Sequence, residues 1–206
     1  MGAVTGAATD DSPLVAEALR VNTRYVEEVV IGWGLCPWAA QAWRDGAVAR
    51  RVLPEPEPDP AAALAFLDDI AMQSATSIGL LVFPRVALDE AAWGAFAERI
   101  RRADRARRPA GAPPPFLIAA FHPGTGETSA QATNPGALIS YLRRTPDPVL
   151  QLVRASLLER LADGGRDLSA EIARANFAMV GARTPAALDA VVRDIRRDRD
   201  AAYARL

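Results

Sequence analysis

Residues 77–84, Ser-Ile-Gly-Leu-Leu-Val-Phe-Pro, run apolar almost without alternation. A strand wetted on one face alternates with period two, so an unbroken run of this length predicts a central strand covered on both sides. Two further strand-sized runs flank it: Ala47 to Leu53, ended by Pro54-Glu55-Pro56-Glu57-Pro58, and Phe116 to Phe121, entered from Pro113-Pro114-Pro115 and closed by His122-Pro123. Helices separate them. Asp59-Pro60 opens one through Ala75 with Leu64, Leu67, Ile70 and Ala71 on one face, and a second runs from about Leu88 to Arg107. Strands spaced by helices need crossover connections, which implies at least partly parallel pairing and right-handed crossings.

Ahead of the first strand, Ser12-Pro13 combines an N-cap residue with a first-turn proline, and Leu14, Ala18, Leu19, Val26, Val29 and Val30 recur at helical spacing. This long helix is expected to stop near Gly32 and Gly34. From Asn134 onward the pattern reads as helical, with Asn134-Pro135, Asp147-Pro148 and Thr184-Pro185 as entrances and Gly164-Gly165 and Gly181 as breaks. The expected fold is α/β (α+β): a small, partly parallel sheet of three to four strands packed against several helices, with an all-helical C-terminal third. A flexible N-terminal tail is expected at residues 1–11. A single α/β domain is expected over 12–206, its helical part spanning about 134–206.

Composition narrows the function classes. Half of the 206 residues are hydrophobic and 24% are charged, values of a globular chain. One cysteine and one histidine exclude an internal disulfide and a closed zinc site of cysteine and histidine alone. A net charge of −1 gives no global attraction to nucleic acid, and the run Arg99, Arg101, Arg102, Arg105, Arg107, Arg108 carries Glu98 and Asp104 within it, as a solvated helix face does. No apolar run approaches the roughly 20 residues of a membrane helix, and the first ten residues lack the pattern of a secretory signal. The expectation is a cytoplasmic protein with no nucleic-acid or membrane partner, its oligomeric state open. Neither GxGxxG nor GxxxxGK[ST] occurs.

Three places hold residues suited to chemistry. Cys36-Pro37 lies at a helix-to-loop junction between Trp33 and Trp38. There the sulfur is either a small buried hydrophobe or a thiolate that ligates a metal or attacks an electrophile. His122 stands at the carboxyl end of a strand, where α/β sheets gather their ligands, and a polar, hydroxyl-rich loop with Thr128 follows it. It either closes a turn or serves as a base. Arg143 and Arg144, with Arg154 further on, either hold a carboxylate or phosphate by bidentate hydrogen bonds or sit as surface arginines near Asp147.

Taken together, Val29-Val30-Ile31-Gly32 through Leu35-Cys36-Pro37-Trp38-Ala39, then Phe121-His122-Pro123, then Arg144-Thr145-Pro146-Asp147-Pro148 with Leu150 and Arg154, resemble a bacterial family known as domain of unknown function 1415. The pieces are similar to its V-I-G-x-x-L-C-P-F-A, x-F-H-P and N-R-S-P-x-P-x-L-H-L-L-R-E segments, over about residues 20 to 160. Arg143, Gln151 and Ala155 stand where that pattern has asparagine, a second histidine and glutamate. If those two are catalytic in the family, this member is altered or inactive in that role.

Three functions follow as expectations. One is an enzyme or redox protein in which Cys36 is an axial ligand to haem iron, with Arg144 for the propionates and His122 on the substrate side. Another is a cofactor-free enzyme with Cys36 as nucleophile and His122 as its base, acting on a small anionic molecule held by Arg143, Arg144, Arg154 and Thr128. The third is a non-catalytic ligand-binding or protein-interaction module, whose C-terminal stripe of Val180, Leu188, Val191, Val192 and Ile195 meets a partner.

Overall fold

The computed structural model describes residues 12–36, 38–124, 134–161 and 168–206. The tail 1–11, Pro37, the loop segment with Thr128 and the pair Gly164-Gly165 lie outside the described residues. Four strands form one sheet: β1 Val48–Val52, β2 Ile78–Val82, β3 Phe116–Phe121 and β4 Val149–Arg154, in the order β1-β2-β4-β3. β1 and β2 pair in parallel, while β4 runs antiparallel to both β2 and β3. The helices are α1 Pro13–Arg24, which continues as a π-helical stretch over Tyr25–Ile31, α2 Ala39–Arg44, α3 Pro60–Ala71, α4 Glu90–Ala106, α5 Pro135–Leu142, α6 Ala155–Leu161, α7 Leu168–Ala182 and α8 Pro185–Tyr203. The fold is thus α/β with a partly parallel sheet, and the three strands expected from the apolar runs are all present.

β4 corrects the reading of residues 134–206 as wholly helical, and of Asp147-Pro148 as a helix entrance. The pair leads into a strand instead. β4 is paired along both edges by β2 and β3, and helical layers lie on both faces of the sheet. Val149-Leu150-Gln151-Leu152-Val153 therefore lacks the alternation that marks a half-wetted strand. Beyond β4 the described residues are helical.

The pleat sends alternate residues to two different layers. Phe116, Leu81, Leu150 and Leu152 face α3 and α4, where they pack with Phe66, Leu67, Ile70, Trp93, Phe96 and Ile100. Trp93 meets Phe83 edge-on at 4.9 Å between ring centres and stacks on Phe96 at 5.3 Å. Gly79 is required here because a Cβ would lie 2.7 Å from Ile70 Cδ1 and 3.1 Å from Leu152 Cδ1. The arginine run is tied into this layer. Arg107 and Arg108 donate to the buried Asp104, and Arg101 donates through Nε and Nη2 to the Ile118 carbonyl on the outer edge strand. A blocked edge carbonyl is one less template for strand pairing.

The other face carries Val52, Ile78, Leu80, Val82 and Val149 toward α1 and α2. α1 in turn is gripped by α8. Leu188, Val192 and Ile195 pack with Val21, Tyr25, Val29 and Trp33, so the C-terminal stripe is covered by the chain itself. Beside this seam, Arg20 and Arg24 both reach Asp198 at 2.7 Å, and Arg24 also reaches Asp194. Hydrogen bonds from Arg20 and Arg24 hold the Asp198 carboxyl down to about 2. A carboxyl lowered by folding adds stability above its ordinary range and loses it as the pH falls through the folded value. Asp198→Asn should therefore lower the unfolding free energy by about 0.5–1 kcal/mol at neutral pH. The gap in urea midpoint should narrow below pH 4 and close near pH 2.

Candidate functional site

Between the sheet and the helices of its second face lies a cavity of about 330 Å³. Side chains from every strand form its floor, among them Val48, Leu80, Ala119, Phe121 and Gln151. Its roof is the stripe Asn22, Val26 and Val30, spaced i, i+4, i+8 along α1 and the π-helical stretch, with Tyr25 beside it. The stripe runs roughly 12 Å along the helix axis at about 1.5 Å per residue. At its far end the Leu35 N–H donates to the Val30 carbonyl at 2.9 Å, an i to i−5 bond like that of Gly32 to Glu27. These wide turns deliver Leu35 and Cys36 to the cavity wall, where Trp38 and Ala39 also stand.

Cys36 is the one predicted catalytic residue that lines this cavity. Asn176 of α7 donates through Nδ2 to the Leu35 carbonyl at 3.0 Å and so fixes the segment that carries the sulfur. Burial pushes the Cys36 thiol up from its ordinary range, while the backbone N–H groups of Trp38 and Ala39 pull the other way. The resting group is the thiol.

His122 is not among the lining residues. The pleat that points Phe121 into the cavity sends the next residue to the opposite face. Its Nδ1 accepts from the Gly124 N–H at 3.0 Å, which leaves the proton on Nε2, and Nε2–H donates to the Leu88 carbonyl at 2.8 Å. Both ring nitrogens thereby join the turn after β3 to the loop before α4. Arg144 also lies outside the lining, its guanidinium 5.3 Å from the centre of the Tyr141 ring. Arg154 donates to the carbonyls of Thr76, Ile70 and Gln73 and lies over Phe116, so it closes the C-terminal end of α3. Asp147 accepts from Arg199 and Tyr203, which binds the segment before β4 to α8.

Arg143 does line the cavity, and it is the only charged side chain among the described lining residues. It is exposed, so it stands at the solvent margin, and makes no ion pair among the described residues. Sequence reasoning passed over Asn22, Tyr25 and Asn176, all on the cavity wall. Asn22 was open to detection, as a polar residue on the otherwise apolar stripe of Leu14, Ala18, Val26 and Val30. Its Oδ1 is buried with no hydrogen-bond partner among the described residues. Among the described residues no three histidine, cysteine, aspartate or glutamate side chains gather as a metal site, and no helix is long and apolar enough to cross a membrane.

Fold and site define an α/β protein with a ligand-sized, mainly apolar cavity between its sheet and one helical layer. Within that class the chain belongs to the family described as protein of unknown function DUF1415, whose model matches residues 17–189. No curated protein and no solved structure matches it.

The raised thiol has a direct readout. Cys36 should react with iodoacetamide at pH 7 at least about tenfold more slowly than free cysteine, and the rate should keep climbing above the pH where free cysteine levels off. A rate equal to that of free cysteine at pH 7 would place the sulfur in a solvent-open, unperturbed setting.

Proposed function

We propose that this chain binds a small, mainly apolar acid in the cavity between its sheet and α1, with Arg143 meeting the carboxylate and the Cys36 thiol in contact with the ligand's body. The observation that carries the reading is the cavity itself. A volume of about 330 Å³ lies within the range of small-molecule sites, and its walls are apolar apart from a few amides, hydroxyls and one margin cation. Cys36 is the strongest nucleophile on that wall, so an acid that also carries an electrophilic carbon is the substrate class an enzyme built on this site would take.

The haem reading draws less support. The described lining offers one guanidinium for two propionates, and burial disfavours the thiolate that iron would need. His122 as the base for Cys36 draws less support too, because both ring nitrogens already have backbone partners.

Calorimetric titration with indole-3-acetate should give a saturable isotherm. Arg143→Ala should weaken the acid about tenfold and leave its amide derivative unchanged. Ala119→Phe, which fills the floor, should abolish binding of both while the circular dichroism stays native. A Soret band formed with haemin and lost in Cys36→Ser would overturn the small-acid reading in favour of haem.

A further inference from the structure

We infer that Gln151 sets the specificity of this cavity by hydrogen bonding to an N–H or O–H donor on the apolar body of the ligand, a step that rests on the small-acid reading above. Gln151 occupies the middle of β4, with Leu80 opposite it on β2 and Ala119 opposite it on β3. All three line the cavity, so an amide stands on its floor between two aliphatic neighbours. Nothing in the sheet explains it. The amide makes no hydrogen bond to a described residue, and a leucine would continue the apolar row formed by Val149 and Val153 on the same face.

A second amide stands on the roof. Asn22 is only 4% exposed, lines the same cavity and keeps a buried Oδ1 without a partner among the described residues. Buried amides are nearly always satisfied, so the buried Asn22 and, on the opposing wall, the half-buried Gln151, neither bonded through its side chain to a described residue, mark where a ligand or water completes the polar groups. The Gln151 amide on the floor carries an oxygen that accepts, so the ligand group it takes there is a donor. Combined with Arg143 at the margin, the ligand class is an acid whose apolar body carries an N–H or O–H, as an indole, a phenol or a secondary alcohol does. A plain hydrocarbon acid would fill the same space and strand the Gln151 amide, and such an omission is what a polar site rejects most strongly.

The test compares two acids of nearly equal shape, indole-3-acetate and 1-naphthaleneacetate, which differ at the ring N–H. Wild type should bind the indole acid about tenfold more tightly. Gln151→Leu should bring the two affinities within about twofold of each other, and Gln151→Met, which keeps the length of the side chain, serves if the leucine variant fails to fold. Equal affinity in the wild type, or a preference that survives both substitutions, overturns this inference and leaves the small-acid reading standing. Binding of neither acid by the wild type overturns both.

Discussion

The insertion of β4 between β2 and β3 is the constraint on which the rest of the molecule depends. It closes the gap between two strands that run the same way, and it fixes which layer every residue of the segment enters. Leu150 and Leu152 go to the α3 and α4 core, Val149, Gln151 and Val153 to the cavity. A slip of one residue would exchange the two sets, driving an amide into the close-packed layer around Trp93. The register is held at both ends. Phe83 donates its N–H to the Pro148 carbonyl, Arg154 to Ser77, and Ala155 to Pro115. The Arg154 guanidinium adds its bonds to Thr76, Ile70 and Gln73, so a residue whose charge suggested ligand binding acts as the clamp at the end of the strand.

The roof of the cavity is held by a separate set of restraints. Tyr25 donates its hydroxyl to the Leu142 carbonyl at 3.0 Å, and burial raises that phenol above its ordinary range. Asp147 gathers the C-terminal helix onto the sheet. Arg199 donates to its carboxylate and to the Pro84 carbonyl, and Tyr203 donates to its second oxygen. Burial raises the Asp147 carboxyl while Arg199 opposes the shift, the usual balance for an ion pair withdrawn from water. The Thr145-Pro146-Asp147-Pro148 stretch is therefore a joint between β2, β4 and α8, and its prominence in the sequence reflects architecture.

How much of this the sequence disclosed follows from which forces leave a local pattern. β1, β2 and β3 were legible because proline clusters bound them and helices of clear period separate them. β4 was not, since coverage on both faces erases alternation and Asp147-Pro148 imitates a helix start whose carboxylate is in fact paired with α8. The π-helical stretch was invisible too, as i to i−5 bonds demand no residue that i to i−4 bonds refuse. Cys36 was found on its position at a helix end, and the cavity lies there. His122 was placed correctly at a strand end. Its partners are the Leu88 carbonyl and the Gly124 N–H, and backbone groups leave no trace in a sequence. Of two adjacent arginines, Arg143 lines the cavity and Arg144 stacks on Tyr141, a choice made by the turn after α5.

Floor and roof are thus fixed independently, the one by strand register and the other by α8, and this explains how an apolar cavity persists in a layer that would otherwise close to the density of a protein interior. A site held open in advance spends less of its binding free energy on ordering. Occupancy by a small acid would also bear on Cys36. A ligand body that displaces water from the sulfur deepens the desolvation that already raises the thiol, and the carboxylate of a bound acid acts in the same sense. The N–H groups of Trp38 and Ala39 act against these. An acid of the class proposed above would therefore meet Cys36 as a thiol, able to donate a hydrogen bond. Attack by its sulfur requires a ligand that itself takes up the thiol proton as the new bond forms.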